Sequence, residues 1–308
     1  MKNKISLIVI ALLGFLTSFS YAENSSVPSA PAATASHRGT LYRVRHKGNT
    51  SYLFGTIHVG KPEFYPLGTE VMQAFSKASK VAFEIDLQDT SAIQASLQKH
   101  GMYGAGDSLK NHVSPDTLAR LDQALKKVGL SSDSYMQMKP WVVADELMML
   151  ALAQGGYDPK QGIEEFLLKI AKQQKKRIVG LETADFQLSL FNRLTDEEQN
   201  QFLKEALDEN SDGKTCKDAD QLADAWFNAD AKELARLAQD ELSEKTVSAE
   251  FTQHVLLDQR NPGMATKIEG MLRHDKVTFV GVGLLHLIGE KSVPALLRQR
   301  GYAVELVY

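Results

Sequence analysis

Two histidines in this chain each stand three residues beyond a glycine that closes an apolar run. One is His58, in Tyr52-Leu53-Phe54-Gly55-Thr56-Ile57-His58-Val59-Gly60. The other is His286, in Phe279-Val280-Gly281-Val282-Gly283-Leu284-Leu285-His286. Imidazole is a common metal ligand and the side chain that gains or loses a proton near neutral pH. The glycine lets the backbone turn sharply where a strand stops. A side chain just past the C-terminal end of a strand stands where open α/β sheets bind ligands. Carboxylates recur at similar places. Lys80-Val81-Ala82-Phe83-Glu84-Ile85-Asp86 reads as a strand on which Glu84 and Asp86 share a side with Ala82. Two accounts stand for that side: a polar face turned to water, or a ligand or general base that meets His58 across the next strand end. The run from Lys176 to Thr183 ends in Glu182, which suits catalysis, ligation or the capping of the helix that follows. Arg260-Asn261 precedes Pro262 at the start of another helix, and an arginine there can fix a carboxylate or stabilise an oxyanion.

The elements that must position these groups follow from the pattern. Residues 41–46 and 51–54 alternate around a Gly48-Asn49 turn and predict a hairpin. His46 falls on its polar face and is read as solvated. Val71, Met72, Phe75 and Ala78 give the inner side of a helix over 69–80. Residues 90–175 read as mainly helical. A helix capped by Ser114 runs to Val128, one runs from Pro140 to the Gly155-Gly156 stop, and one spans 162–174 with Glu164 and Glu165 in its first turn. Helical patterning resumes over 196–274, with Thr195 and Glu198 as a capping box and His254 on a helix surface. Methionines 136, 138, 148 and 149 read as core filling rather than a soft-metal box. Lys276 to Gly283 is the most apolar strand after residue 22 and is predicted to be central. A last helix over 290–300 and a strand over 302–308 close a βαβ-like unit. The expected fold class is α/β: a central mixed sheet with a strand-end active site and a large helical insertion.

Composition narrows the function further. Lys2 and Lys4 followed by an apolar run from Ile5 to Leu16 and by Ser20-Tyr21-Ala22 read as a signal peptide, residues 1–22, cut after Ala22. The run is too short to span a bilayer, so no transmembrane anchor is expected and the protein is placed in the periplasm or secreted. Residues 23–37 are rich in Ser, Ala and Pro and read as a disordered lead-in to a domain over 38–308. Cys216 is the only cysteine, which excludes an intramolecular disulfide. The net charge of -3 comes without a basic stripe and argues against a nucleic-acid partner. No His-Glu-x-x-His or Gly-x-Ser-x-Gly motif occurs, and Cys216 has no evident activating neighbour, so serine and cysteine hydrolases fall away.

In order along the chain, the His58 motif, Phe83-Glu84-Ile85-Asp86, Lys139-Pro140-Trp141, Gly180-Leu181-Glu182-Thr183, Arg260-Asn261 and the His286 motif resemble the TraB/GumN family, related to the TIKI proteins. The bulkier Leu284-Leu285 stands where that family usually has a small residue after the glycine. The resemblance implies a TIKI and erythromycin-esterase-like fold and a hydrolase-like site built from the two histidines and a strand-end glutamate. It also implies, through TIKI, metal-dependent proteolysis with manganese or cobalt. The donor types agree, since two imidazoles and a carboxylate suit a divalent first-row metal such as Mn, Co or Zn. The resulting assignment is His58, His286 and Glu84 as metal ligands, with Glu84 alternatively the general base. Arg260 steadies developing negative charge, and Glu182 or Asp86 orients an imidazole. The substrate is a peptide or small molecule left open by the sequence. Two other readings stand beside this one: a haem-, metal- or other ligand-binding protein with an axial His58 or His286, and a non-catalytic accessory protein.

Overall fold

The structure, a computed structural model, describes residues 39–211 and 213–308. The expected signal peptide and lead-in lie outside the described residues. Six strands form one mixed sheet: β1 (Leu41–His46), β2 (Asn49–Thr56), β3 (Lys80–Phe83), β4 (Arg177–Gly180), β5 (Val277–Gly283) and β6 (Ala303–Leu306). Their order is β4-β3-β5-β2-β1-β6. The first four in that order run parallel, and β1 is antiparallel to both β2 and β6. The mixed α/β architecture agrees with the sequence reading, and β5 is central as predicted.

The β1–β2 hairpin turns one residue earlier than expected. Lys47 and Gly48 both have positive φ, and Asn49 already pairs with His46. Two left-handed residues in succession match the twist of the flanking strands, which is why such turns favour a glycine. The closing unit also differs from a simple βαβ neighbour pair, because β6 joins the far edge of β1, with β2 and β1 lying between it and β5.

Both faces of β3 and β5 are buried, because each is covered by helices, whereas the edge strand β4 is only partly covered. Phe54, Val81, Phe83 and Phe279 enter one core beneath the helix Thr69–Lys77 and the helices between residues 90 and 251. Leu53, Ala82, Val280 and Val282 face the other way. They pack on Met264, Ile268 and Leu272 of the helix Asn261–His274 and on Val293 and Leu297 of the helix Val293–Gln299. This overturns the water-facing account of the β3 strand: Ala82 is as buried as Val81 and Phe83, and Glu84 is only 2% exposed. The strand also stops at Phe83, three residues short of Asp86.

The helical segments follow their local signals. Ser114 caps the helix Pro115–Lys127 through the Thr117 amide, and Thr195 and Glu198 exchange the two hydrogen bonds of a capping box. Met148 and Met149 are buried in the core, as expected of filler. His254 lies exposed on its helix, and His46 is half-buried with its ring tilted against Tyr302. Among the described residues no helix is long and apolar enough to cross a membrane.

Trp226 joins the helical part to the sheet. Its indole is fully buried, its Nε1 donates to the Gly55 carbonyl at 2.9 Å, and its ring packs on Phe54 and Phe64. Trp226→Phe is expected to lower stability by about 1–3 kcal/mol through the orphaned carbonyl and the lost volume, measured by urea unfolding.

Candidate functional site

The sheet register places the chemistry-bearing residues side by side. Thr56 pairs with Gly283, Ala82 with Val280 and Phe83 with Gly180, so four adjacent parallel strands end close to one line. Past that line, reading across from β4 to β3, β5 and β2, stand Glu182, Glu84, His286 and His58. The pairing of β3 and β4 carries on beyond the strands, with the Glu182 amide donating to the Glu84 carbonyl at 2.7 Å. All four side chains are at least nine-tenths buried.

Arg260, immediately before the helix Asn261–His274, reaches the two carboxylates from the side. Its Nε donates to Glu182 Oε2 at 2.9 Å, and its Nη2 bonds both Glu182 Oε2 and Glu84 Oε2. Gly283 N–H donates to the other Glu84 oxygen, Oε1, at 2.7 Å. Burial is the largest influence on the Glu84 carboxyl and pushes its pKa up. The Arg260 guanidinium, then His286 and His58, overrule it and hold the carboxyl well below the usual carboxylate range. The part played by His58 in that field puts the imidazole from β2 in the same electrostatic cluster.

Each imidazole has its own neighbour. His58 Nδ1 lies 2.8 Å from Glu164 Oε1. Their meeting depends on a close approach of two loops: Gly60 bridges Asp158, and the Ile163 amide donates to the Ile57 carbonyl at 3.0 Å. A methyl on Gly162 would sit 2.2 Å from the His58 carbonyl oxygen, and one on Gly60 would sit 2.1 Å from the Gln161 carbonyl oxygen. Only glycine fits at either place. The Tyr65 hydroxyl ties the same segment down by donating to the Gln161 carbonyl at 2.6 Å. His286 Nδ1 lies 2.6 Å from Asn261 Oδ1, and its Nε2 is 3.7 Å from Glu84 Oε1.

Gln187, on the short helix Ala184–Ser189, donates from Nε2 to Glu182 at 2.9 Å and to Glu84 at 3.2 Å. The helix is braced from outside by a polar chain. Lys139 donates to Asn192, Asn192 meets His100 Nδ1, and His100 Nε2 meets Asp185 on that helix, at 3.0, 2.8 and 2.8 Å. Lys139 of the Lys-Pro-Trp motif therefore reaches the helix that carries Gln187 through two intermediaries, Asn192 and His100.

The structure thus gathers His58, His286, Glu84, Glu182 and Arg260 at one sheet edge. Asp86 stands apart: its carboxylate accepts from the Gln88 amide at 3.0 Å in a local turn and orients no imidazole. Glu182 faces Arg260 and Gln187 rather than a histidine, and the helix after it is capped by Thr183. The neighbours of the two imidazoles are Glu164 and Asn261. The sequence reading met both, Glu164 as a helix-start acid and Asn261 beside Arg260, and gave neither that role. Gln187 carried no sequence signal. Cys216 has its thiol pushed up by burial first and by Asp220 next, the reverse of an activated nucleophile.

Whether a divalent metal suits this cluster turns on charge and donor geometry. Glu84 and Glu182 share one guanidinium and Glu164 faces His58, so three buried carboxylates with one guanidinium leave two negative charges when the acids are ionised and both imidazoles neutral. A dication, or two imidazolium ions, balances that excess. Two atoms bound to one first-row ion at roughly 2.0–2.2 Å each stand about 3–4 Å apart. The 3.7 Å between His286 Nε2 and Glu84 Oε1 meets that requirement. Among the described residues no three His, Cys, Asp or Glu side chains converge closely enough to enclose an ion. The pair fits a metal, and the set with His58 is not closed in this structure.

Residues 40–306 match the model of the TraB/PrgY/gumN family. The chain is similar to the uncharacterised protein YbaP of Shigella flexneri, 27% identical over 80% of this chain and 88% of that one. An uncharacterised protein of Treponema pallidum is 22% identical over 96% of this chain and 90% of its own. Metalloprotease TIKI1 of Danio rerio is 24% identical over 83% of this chain but only 60% of its own length. No solved structure matches.

Removing Arg260 leaves two carboxylates buried without a counter-charge, so Arg260→Met is expected to cost about 3–5 kcal/mol in urea unfolding. The Glu84 pKa lies below its unfolded value of about 4.3, so its contribution is complete above that pH and is lost as the pH falls. The stability gap between the wild type and Glu84→Gln is therefore expected to narrow between neutral pH and about pH 3. A gap that stays constant in denaturation at each pH contradicts this placement of the charge.

Proposed function

The chain belongs to the TraB/PrgY/gumN family, and from that premise we propose that it is a metal-dependent hydrolase of peptidase type, exported after cleavage following Ala22. The observation that carries the reading is the strand-end cluster, where two imidazoles and an ionised carboxylate share one buried site with an uncompensated negative charge. Relatives named as metalloproteases support the choice of reaction class.

In this reading His286 and Glu84 would hold the ion, and His58, the third donor expected from the sequence, has its Nε2 to serve either as donor or as base. When bound, a divalent ion lowers the pKa of its water toward about 7 and so supplies a nucleophile at neutral pH. The rest belongs to the chain. Glu84, held well below the ordinary carboxylate range, is a poor proton acceptor at neutral pH, which favours ligation over general-base work. His58 is better suited to the base: the Glu164 carboxylate favours a proton on Nδ1 and leaves Nε2 as the nitrogen that accepts one. Arg260 keeps Glu84 and Glu182 ionised and in register. All three guanidinium nitrogens already face protein oxygens, so its effect on developing charge is transmitted through those carboxylates. Gln187 fixes the same pair from the opposite helix.

Metal analysis of the purified mature chain, beside a His58→Ala, His286→Ala double variant, tests the ligand set. The wild type is expected to retain manganese, cobalt or zinc after dialysis and the variant to lose it. Equal metal content in both overturns the assignment. Digestion of a peptide library with added manganese tests hydrolysis separately, and a Soret absorption band in the wild type points instead to haem. N-terminal sequencing of the exported protein locates the cut.

A further inference from the structure

Asn261 holds more than a place beside His286. Its Nδ2 donates to the Lys291 carbonyl at 2.9 Å, and its Oδ1 faces His286 Nδ1 at 2.6 Å. A backbone carbonyl only accepts, so the atom facing Lys291 must be the amide nitrogen, and the atom facing the imidazole must be the amide oxygen. That oxygen in turn only accepts, so His286 Nδ1 must carry the hydrogen. The loop that supplies the Lys291 carbonyl is fastened a second time, because Lys291 Nζ donates to Asp258 Oδ2 at 2.6 Å, three residues before Asn261. The orientation of the amide is thus set by backbone that is itself tied to the same turn.

The consequence lies at the other ring nitrogen. His286 Nε2 is buried without a hydrogen-bond partner and faces Glu84 Oε1 at 3.7 Å, beyond hydrogen-bond reach. Glu84 Oε1 is the oxygen that already accepts from Gly283 N–H, while Oε2 pairs with the Arg260 guanidinium. Two acceptors therefore face each other across a gap. We propose that Asn261 is a positioning residue that locks His286 as its Nδ1-protonated tautomer, so that Nε2 and Glu84 Oε1 form a paired acceptor for one positively polarised atom, a metal cation or a water hydrogen. This rests on the reading above only in treating His286 and Glu84 as the reactive pair; the tautomer itself follows from the hydrogen bonds.

Nitrogen NMR of the protein labelled at histidine, stripped of metal with a chelator and held at slightly alkaline pH, tests it directly. His286 is expected to show a protonated-type Nδ1 and an unprotonated-type Nε2. A proton on Nε2, or on both nitrogens, overturns the proposal, and this wild-type measurement decides the matter even if no variant folds. Asn261→Leu is expected to lose the single-tautomer pattern and to weaken manganese binding by about 10–100-fold, with Asn261→Asp, which keeps an acceptor at Nδ1, retaining the pattern. A leucine variant that folds and keeps the wild-type tautomer removes Asn261 from the role. Because the spectrum needs neither metal nor substrate, a correct tautomer in a protein without hydrolytic activity sinks the hydrolase and spares this assignment, and the reverse result does the opposite.

Discussion

A single guanidinium between two carboxylates is the contact on which this sheet edge depends. β3 and β4 each carry a glutamate just beyond their last paired residue, into a layer sealed on both sides by helices. Leaving either acid ionised and unpaired there would cost several kcal/mol. Arg260 removes that penalty for both by holding Glu84 and Glu182 through one fork. Once it is in place, Gly283 N–H and Gln187 Nε2 have fixed acceptors to aim at, and the remaining oxygen of Glu84 is turned toward β5. A π-helical turn, Thr252–Leu257, comes just before Arg260, whose Nη1 meets the Leu256 carbonyl in it. Such turns are frequent at functional sites.

What the sequence revealed, and what it hid, divides along the range of the interactions. The two histidine motifs were legible because a glycine at a strand end is a local signal, and Glu84, Glu182 and Arg260 were legible because charged residues beside apolar runs are conspicuous. The sheet class and the central place of β5 followed from apolar runs bounded by turns. The water-facing account of the β3 strand failed because alternation carries no information when both faces of a strand are covered. The partners of the imidazoles were hidden for another reason. Glu164 reaches His58 only because Gly60 and Gly162 let two distant loops touch, and a helix-start acid otherwise has a sufficient local explanation. Asn261 and Gln187 are neutral amides, whose roles come from a hydrogen-bond geometry that no residue spacing encodes.

The brace from Lys139 through Asn192 and His100 to Asp185 illustrates the same limit from the outside. Lys139-Pro140-Trp141 looks like a helix start, and it is one. Its lysine nevertheless secures the small helix that carries Gln187, by way of residues far from it in the sequence in either direction. A motif can therefore belong to a site without supplying any atom that touches the reacting groups. The exposed end of the brace, at Asp185, is screened by water, so its worth lies in orientation more than in energy.

The two histidines share a sheet edge and a sequence pattern, yet their surroundings separate them. A carboxylate behind an imidazole stabilises the charged ring and raises its basicity, as an amide oxygen does far less. His58 stands against Glu164 and His286 against Asn261, so a carboxylate backs the first ring and a neutral amide oxygen the second. The asymmetry could not have arisen from the motifs themselves, which are nearly the same. It comes from what approaches each strand end: a helix led by an acid at β2, and a helix led by an arginine and an amide at β5. Two copies of one local device are thereby set in different surroundings, one against a carboxylate and one against a neutral amide.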